Sequence, residues 1–177
     1  MGLDWSVLDD RLGGSIDVYN KKTTDLLFWY TVPTPPNLFN STLANAGSVQ
    51  NRGIEVAINA VPVQTKDFEW RTVLTISSNK NKLLSLSNDM YESNSFMDTG
   101  GLGEPISIST HRMEEGRALG EFYGLKSVGV SENGLFLIEK PDGEVVEFSN
   151  DQLKNDEYRQ YLGSGLPKVY LGWTNNL

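Results

Sequence analysis

The chain of 177 residues has no cysteine, which excludes a disulfide framework and thiolate metal sites without locating the protein in any compartment. No run approaches the roughly 18 apolar residues that a transmembrane helix needs. Basic residues are also in short supply, 15 against 23 acidic ones, for a formal net charge of −8. No basic stripe is visible along the chain, so nucleic acid is excluded as a partner, because phosphate binding needs clustered Lys and Arg. The hydrophobic fraction of 38% is low for a single domain of this length and fits strands with one polar face beside a large solvated region.

What the chain does have is strict alternation. Side chains on a strand point to opposite faces with period two. Leu3, Trp5 and Val7 share one face of a strand over Gly2 to Leu8, and Asp9-Asp10-Arg11 reads as a tight turn. A second strand, Leu12 to about Phe28, sets Leu12, Ile16 and Val18 against Ser15, Asp17 and Tyr19. A long connection from Trp29 to about Ala46 follows, in which Pro33, Pro35 and Pro36 remove backbone donors. From Gly47, Ile54, Val56, Ile58 and Ala60 oppose Glu55, Ala57 and Asn59 until Pro62, expected to close the strand. After the turn Gln64-Thr65-Lys66-Asp67, the residues Phe68, Trp70, Thr72, Leu74 and Ile76 oppose Glu69, Arg71, Thr75 and Ser77. Connections run short, long, short, long, the asymmetry of outer-membrane barrels, whose strands cross the bilayer in about 9–11 residues. Trp5, Phe68 and Trp70 beside short turns suit an interfacial aromatic girdle. Glu55 and Arg71 are expected to pair across neighbouring strands and help fix register.

Few residues invite a chemical role. His111 is the only histidine and lacks a local Ser or carboxylate arrangement. The adjacent pairs Asp9-Asp10 and Glu114-Glu115 read as solvated surface, since glycosidase carboxylates work from opposite sides of a sugar. Asp142-Gly143 lacks the alternating oxygen ligands of a calcium loop and reads as a turn. The expectation is therefore no catalytic residue, no metal, no cofactor and no enzymatic activity. The aromatics Trp29, Tyr30, Phe39, Tyr91, Phe96, Phe122 and Tyr123 fall in or beside the long loops. There they serve loop packing or stack on sugar C–H faces, so the substrate-binding residues stay unknown.

Five segments, in order, carry a family resemblance. Gly14-Ser15-Ile16-Asp17-Val18-Tyr19-Asn20-Lys21-Lys22-Thr23-Thr24-Asp25-Leu26-Leu27 is the first, and Asn45-Ala46-Gly47-Ser48-Val49-Gln50-Asn51-Arg52-Gly53-Ile54-Glu55 the second. The third is Phe68-Glu69-Trp70 with Asn79-Lys80-Asn81-Lys82-Leu83, the fourth Gly120-Glu121-Phe122-Tyr123-Gly124-Leu125-Lys126, and the fifth Leu166-Pro167-Lys168-Val169-Tyr170-Leu171-Gly172. Together they resemble strands of the SusC-like TonB-linked outer-membrane transporters of Bacteroidetes.

The resemblance implies an all-β fold: antiparallel strands forming part of a transmembrane β-barrel, with a large extracellular loop region that contains a β-hairpin. Barrel strands and loops would occupy 1–80, the extracellular excursion 81–165, and a re-entering strand 166–177. It implies the C-terminal part of a barrel of about 22 strands, carried by a Gram-negative outer-membrane importer of oligosaccharides or other nutrients. Its partners would be a SusD-like surface lipoprotein and TonB. An exported barrel needs a leader and none precedes Gly2, so both ends are expected to be cuts, with Met1 added and Leu177 inside a strand.

Within the excursion, Leu135–Lys140 and Glu144–Phe148 around Pro141-Asp142-Gly143 predict a hairpin. Asn88–Gly103 predicts a mobile loop, and Asp151–Tyr161 a short helix capped by Asn150 or Asp151. The competing reading is a soluble secreted β-sandwich glycan-binding module. It would pack Ile54, Val56 and Ile58 against Trp70, Leu74 and Ile76 between two sheets. A glycoside hydrolase would need converging carboxylates, which the chain does not offer.

Overall fold

Alternation becomes architecture through register. The computed structural model describes residues 1–87 and 95–177. β1 (Gly2–Val7), β2 (Leu12–Thr31), β3 (Ser41–Gln64) and β4 (Glu69–Ser85) form an antiparallel meander. Its far edge pairs with β11 (Tyr170–Asn176). The chain between β4 and β11 builds a second antiparallel sheet: β5 (Phe96–Gly101), β6 (Ser109–Glu114), β7 (Glu121–Val130), β8 (Phe136–Glu139) and β9 (Val145–Glu147), with β10 (Arg159–Ser164) on β7.

In the first sheet the apolar positions fall into rows. Leu3, Ile16, Val56, Ile76 and Leu171 are successive partners across five strands. The next row is Trp5, Gly14, Ile58, Leu74 and Trp173. Leu3, Ile16, Ile76, Leu171 and Trp173 are all exposed. The opposite face carries Asp17, Glu55 and Ser77 in one row and Asp4, Ser15, Ala57 and Thr75 in another. An uninterrupted apolar face turned outward would be a liability in water and is what a lipid-facing barrel wall requires. The β-sandwich expectation fails here. Ile58 and Leu74, like Val56 and Ile76, are side-by-side partners within one sheet rather than opposed across a core.

The band has the right height. Trp70 donates its indole N–H to Asn175, and Trp173 donates to Thr72, at 3.0 and 2.9 Å. Trp5, Trp70 and Trp173 thus mark the end with the short turns. Ten residues further along β4, at Lys80, the same face turns cationic. That is ~34 Å along the strand, or ~25 Å along the normal at barrel tilt, the thickness of an apolar band.

Several boundaries differ from the sequence expectation. The long connection is shorter than Trp29–Ala46, because the prolines break pairing only around Val32–Asn40, and Trp29↔Leu43 through Thr31↔Ser41 still pair. Pro62 does not close β3. It sits in a bulge between Ala60 and Val63, where a missing N–H costs no ladder bond, and the Arg11 guanidinium donates to the Val61 and Pro62 carbonyls. Glu55 and Arg71 do not pair: Glu55 stands opposite Ser77, ~20 Å along β4 from Arg71, and Arg71 bonds Glu69 instead. The helix over Asp151–Tyr161 is replaced by a 3₁₀ turn at Asn150–Lys154 and by β10, whose Arg159 and Gln160 are claimed by β7. The predicted loop Asn88–Gly103 lies partly outside the described residues, and from Phe96 it is strand paired with β6. The hairpin forms as expected, with Gly143 at φ 90° and its N–H donating to the Lys140 carbonyl at 3.0 Å.

Two glycines are required by neighbours. A Cβ on Gly53 would come within 2.8 Å of the Ser78 carbonyl and run into the Tyr19 ring folded over it. On the other face the Trp5 ring covers Gly14, at 3.1 Å from a Cβ. Aromatic rings laid over cross-strand glycines pin register. In β2 the bulge between Thr23 and Leu26 places Asp25 at φ 59°, a left-handed conformation that Asp tolerates better than most residues.

The two faces predict opposite tolerance to charge. Ile58→Arg in the full-length barrel is expected to destabilise it by about 2–4 kcal/mol, whereas Ala57→Arg, between Ser15 and Thr75, is expected to be near neutral. Denaturant titration in bilayers with a fluorescence readout distinguishes the two.

Candidate functional site

The second sheet is fastened to the first on its polar face. β2 and β3, at 20 and 24 residues, far exceed a bilayer crossing. Counting from Glu55 and Ser77, the residues Val49 and Leu83 lie on the polar face, and both are buried. They form a core with Leu86, packed by Leu26, Phe28, Met97, Met113 and Leu119. The Leu83 N–H donates to the Arg117 carbonyl and accepts in return through its own carbonyl from Gly116, both at 2.8 Å. The Leu119 N–H donates to the Asn81 side chain at 2.5 Å, and the Leu86 N–H to Glu115 at 2.7 Å. The Tyr30 hydroxyl donates to the Leu86 carbonyl. The second, outer sheet thus rises from the polar face of the first.

That sheet is held by a buried charged network rather than by a large apolar core. Arg112 is 7% exposed and makes a bidentate pair with Asp98 at 2.6 and 3.0 Å, plus two bonds to Asp156 at 2.9 and 3.1 Å. Its guanidinium lies between the Phe96 and Tyr123 rings, 3.9 Å from each centroid. Arg159, equally buried, donates to the Ser109 and Tyr123 carbonyls at 2.9 and 3.3 Å and faces Asp98 and Asp156. Planar, weakly hydrated guanidinium suits this mixture of stacking and bidentate bonding, and lysine would not reproduce it. Hydrogen bonding from Arg112 holds the Asp98 carboxyl below its ordinary range against the opposing effect of burial. Burial, with the Glu114 carboxylate beside it, pushes the Tyr161 phenol up.

The expected loop aromatics separate by environment. Tyr30 and Tyr123 are buried, and Phe96 and Tyr123 are occupied by Arg112, which is the packing use of such residues. Trp29, Phe39 and Phe122 remain exposed. Tyr91 lies outside the described residues. His111 stacks on Phe122 at 4.4 Å, its Nδ1 2.8 Å from the Thr110 hydroxyl. Glu114 and Glu115 are not a solvated pair: Glu114 accepts from Tyr161 within the second sheet, Glu115 from the Leu86 amide of the first sheet's extension, and both are half-buried. Asp142 accepts the Glu144 N–H at 3.0 Å inside the hairpin turn. Nothing in the local sequence pointed to the Arg112 network, whose partners Asp98 and Asp156 lie 14 and 44 residues away.

Comparison with known proteins agrees with this geometry. Residues 1–111 match the family model described as TonB dependent receptor-like, beta-barrel. TonB-dependent receptor P3 of Formosa agariphila is 32% identical over 100% of this chain and 18% of its own length. TonB-dependent receptor P39 of the same organism is 38% identical over 80% of the chain and 12% of its length. TonB-dependent receptor SusC of Bacteroides thetaiotaomicron is 35% identical over 99% of the chain and 20% of its length. The chain therefore spans a fifth or less of these relatives. Among solved structures, the RagAB peptide transporter superposes with a TM-score of 0.73 at 20% identity, over 97% of this chain and 18% of that one, a likeness of fold.

Two outcomes follow for the outer sheet in the full-length protein. Arg112→Ala removes the bidentate partner of Asp98 and leaves Asp98 and Asp156 only the longer contacts to Arg159; it is expected to cost about 3 kcal/mol, read as faster limited proteolysis of the outer sheet while the barrel stays intact. A carboxyl held low when folded stabilises above its unfolded value, near 3.9, and loses that contribution as pH falls through the folded value. Protease resistance is therefore expected to be flat from pH 7 to 5 and to drop below about pH 4.

Proposed function

Because this chain belongs to the TonB-dependent receptor β-barrel family, we propose that it forms wall strands and outer loops of a Gram-negative outer-membrane importer. The cargo is an oligosaccharide or another large nutrient. Residues 1–80 supply wall strands, 81–165 the extracellular region and 166–177 the strand that returns into the membrane. The role is passive and structural, without a catalytic step, in keeping with a family of transporters and receptors. Transport is powered through TonB, and a SusD-like surface lipoprotein caps the mouth.

The observation that carries this reading is the sheet with an apolar band on one face and a polar row, Asp17, Glu55 and Ser77, on the other. Such a wall divides lipid from an aqueous path. The anchoring of the outer sheet on the polar side at Val49 and Leu83 supports this reading further, because cargo and cap would approach from that side.

The chain's lack of cysteine permits a direct topological test. Single cysteines at Val56 and at Thr75 in a cysteine-free full-length protein are expected to differ. Position 75 should react with a charged maleimide, whereas position 56 should resist it and, once labelled with an uncharged fluorophore, be quenched by nitroxide-labelled lipid. Equal reactivity at both positions would remove the wall assignment. For the outer region, deletion of residues 88–165 is expected to impair uptake of the nutrient or retention of the lipoprotein. Unchanged growth together with unchanged complex formation would count against a role for it.

A further inference from the structure

We propose that the outward face of β2, β3 and β4, immediately above the apolar band, binds the phosphate groups of outer-leaflet lipid headgroups through Lys22, Arg52, Lys80 and Lys82. The inference rests on the outer-membrane reading above and adds a lipid ligand to it.

The same face that carries Ile16, Val56 and Ile76 ends its apolar run at the row Val18, Ile54 and Ser78. One row further stand Asn20, Arg52 and Lys80, and one beyond that Lys22, Gln50 and Lys82. Two rows thus bring four cations onto one face, from three strands, in a chain whose formal charge is −8. All four are exposed, and none makes an ion pair among the described residues, although most other bases of the outer region do. The nearby carboxylates Asp17 and Glu55 point to the other face.

Arg52 and Lys80 are direct cross-strand partners, an arrangement of like charges that is unfavourable unless an anion lies over it. Neighbouring strands are ~4.8 Å apart and alternate residues ~6.7 Å apart, so the cations cover a patch of headgroup size. Apolar side chains directly below the charges favour a ligand with acyl chains over a free anion. The opposite end of the band is different in kind, marked by Trp5, Trp70 and Trp173, and its Arg11 is engaged with backbone carbonyls. The asymmetry places the phosphate site in one leaflet only.

The test uses the full-length protein and the triple variant Arg52→Gln, Lys80→Gln, Lys82→Gln, each in vesicles of phosphatidylcholine doped with bis-phosphorylated lipid A or with its dephosphorylated form. After detergent extraction, co-purifying lipid is measured by native mass spectrometry. A cation at a charged membrane surface contributes about fivefold in affinity. Wild type is expected to retain the phosphorylated lipid at least tenfold better than the dephosphorylated one. The variant should lose most of that preference while inserting equally and supporting the same uptake. Equal retention by wild type and variant overturns the site. Displacement of the lipid by 10 mM inorganic phosphate also overturns it, in favour of a free-anion site. Failure of the wild type to insert into any vesicle would overturn the outer-membrane reading instead, so the two failures are distinguishable.

Discussion

The register across β1 to β4 and β11 is the constraint on which everything else depends. With a side-chain period of two, a slip of one residue between any two strands would transfer Ile58 or Leu74 to the polar side and bring Glu55 into the apolar band. The chain guards against this with devices that act only between strands. Trp5 lies over Gly14 and Tyr19 over Gly53, while Trp70 and Trp173 bond across to Asn175 and Thr72. Bulges at Thr23–Leu26 and Ala60–Val63 absorb the extra residues at the two ends, leaving the membrane stretch in unbroken register.

Strands longer than the membrane is thick create the second level of organisation. Where β2, β3 and β4 continue past the cationic rows, their polar-side positions turn apolar at Val49 and Leu83, and the outer sheet packs there. A small core and a few backbone bonds tie the outer sheet's base to the wall. Its interior relies on Arg112 and Arg159 held between two carboxylates and two rings. Such a network is specific in geometry and poor in net stabilisation, because desolvation offsets much of the attraction.

Much of this was legible in the chain. The alternating stripes, the order of short and long connections, the hairpin around Asp142-Gly143 and the five family segments were all readable, because each depends on residues close in sequence. The errors had a common cause. Pro62 reads as a terminator until a bulge accommodates it, and Asp151–Tyr161 reads as helix until β7 recruits Arg159 and Gln160. Glu114-Glu115 reads as solvated until the Leu86 amide and the Tyr161 hydroxyl arrive. In each case a partner distant in sequence outweighed a local preference.

The sequence alone determined that these segments are strands with one apolar and one polar face, and to which family they belong, since periodicity and motif are local properties. Whether two apolar faces meet across a core or lie side by side toward lipid was decided only in three dimensions, by hydrogen-bond pairing between strands. The same holds for the cationic rows: Lys22, Arg52, Lys80 and Lys82 are scattered over sixty residues of an acidic chain and become neighbours solely because pairing aligns them.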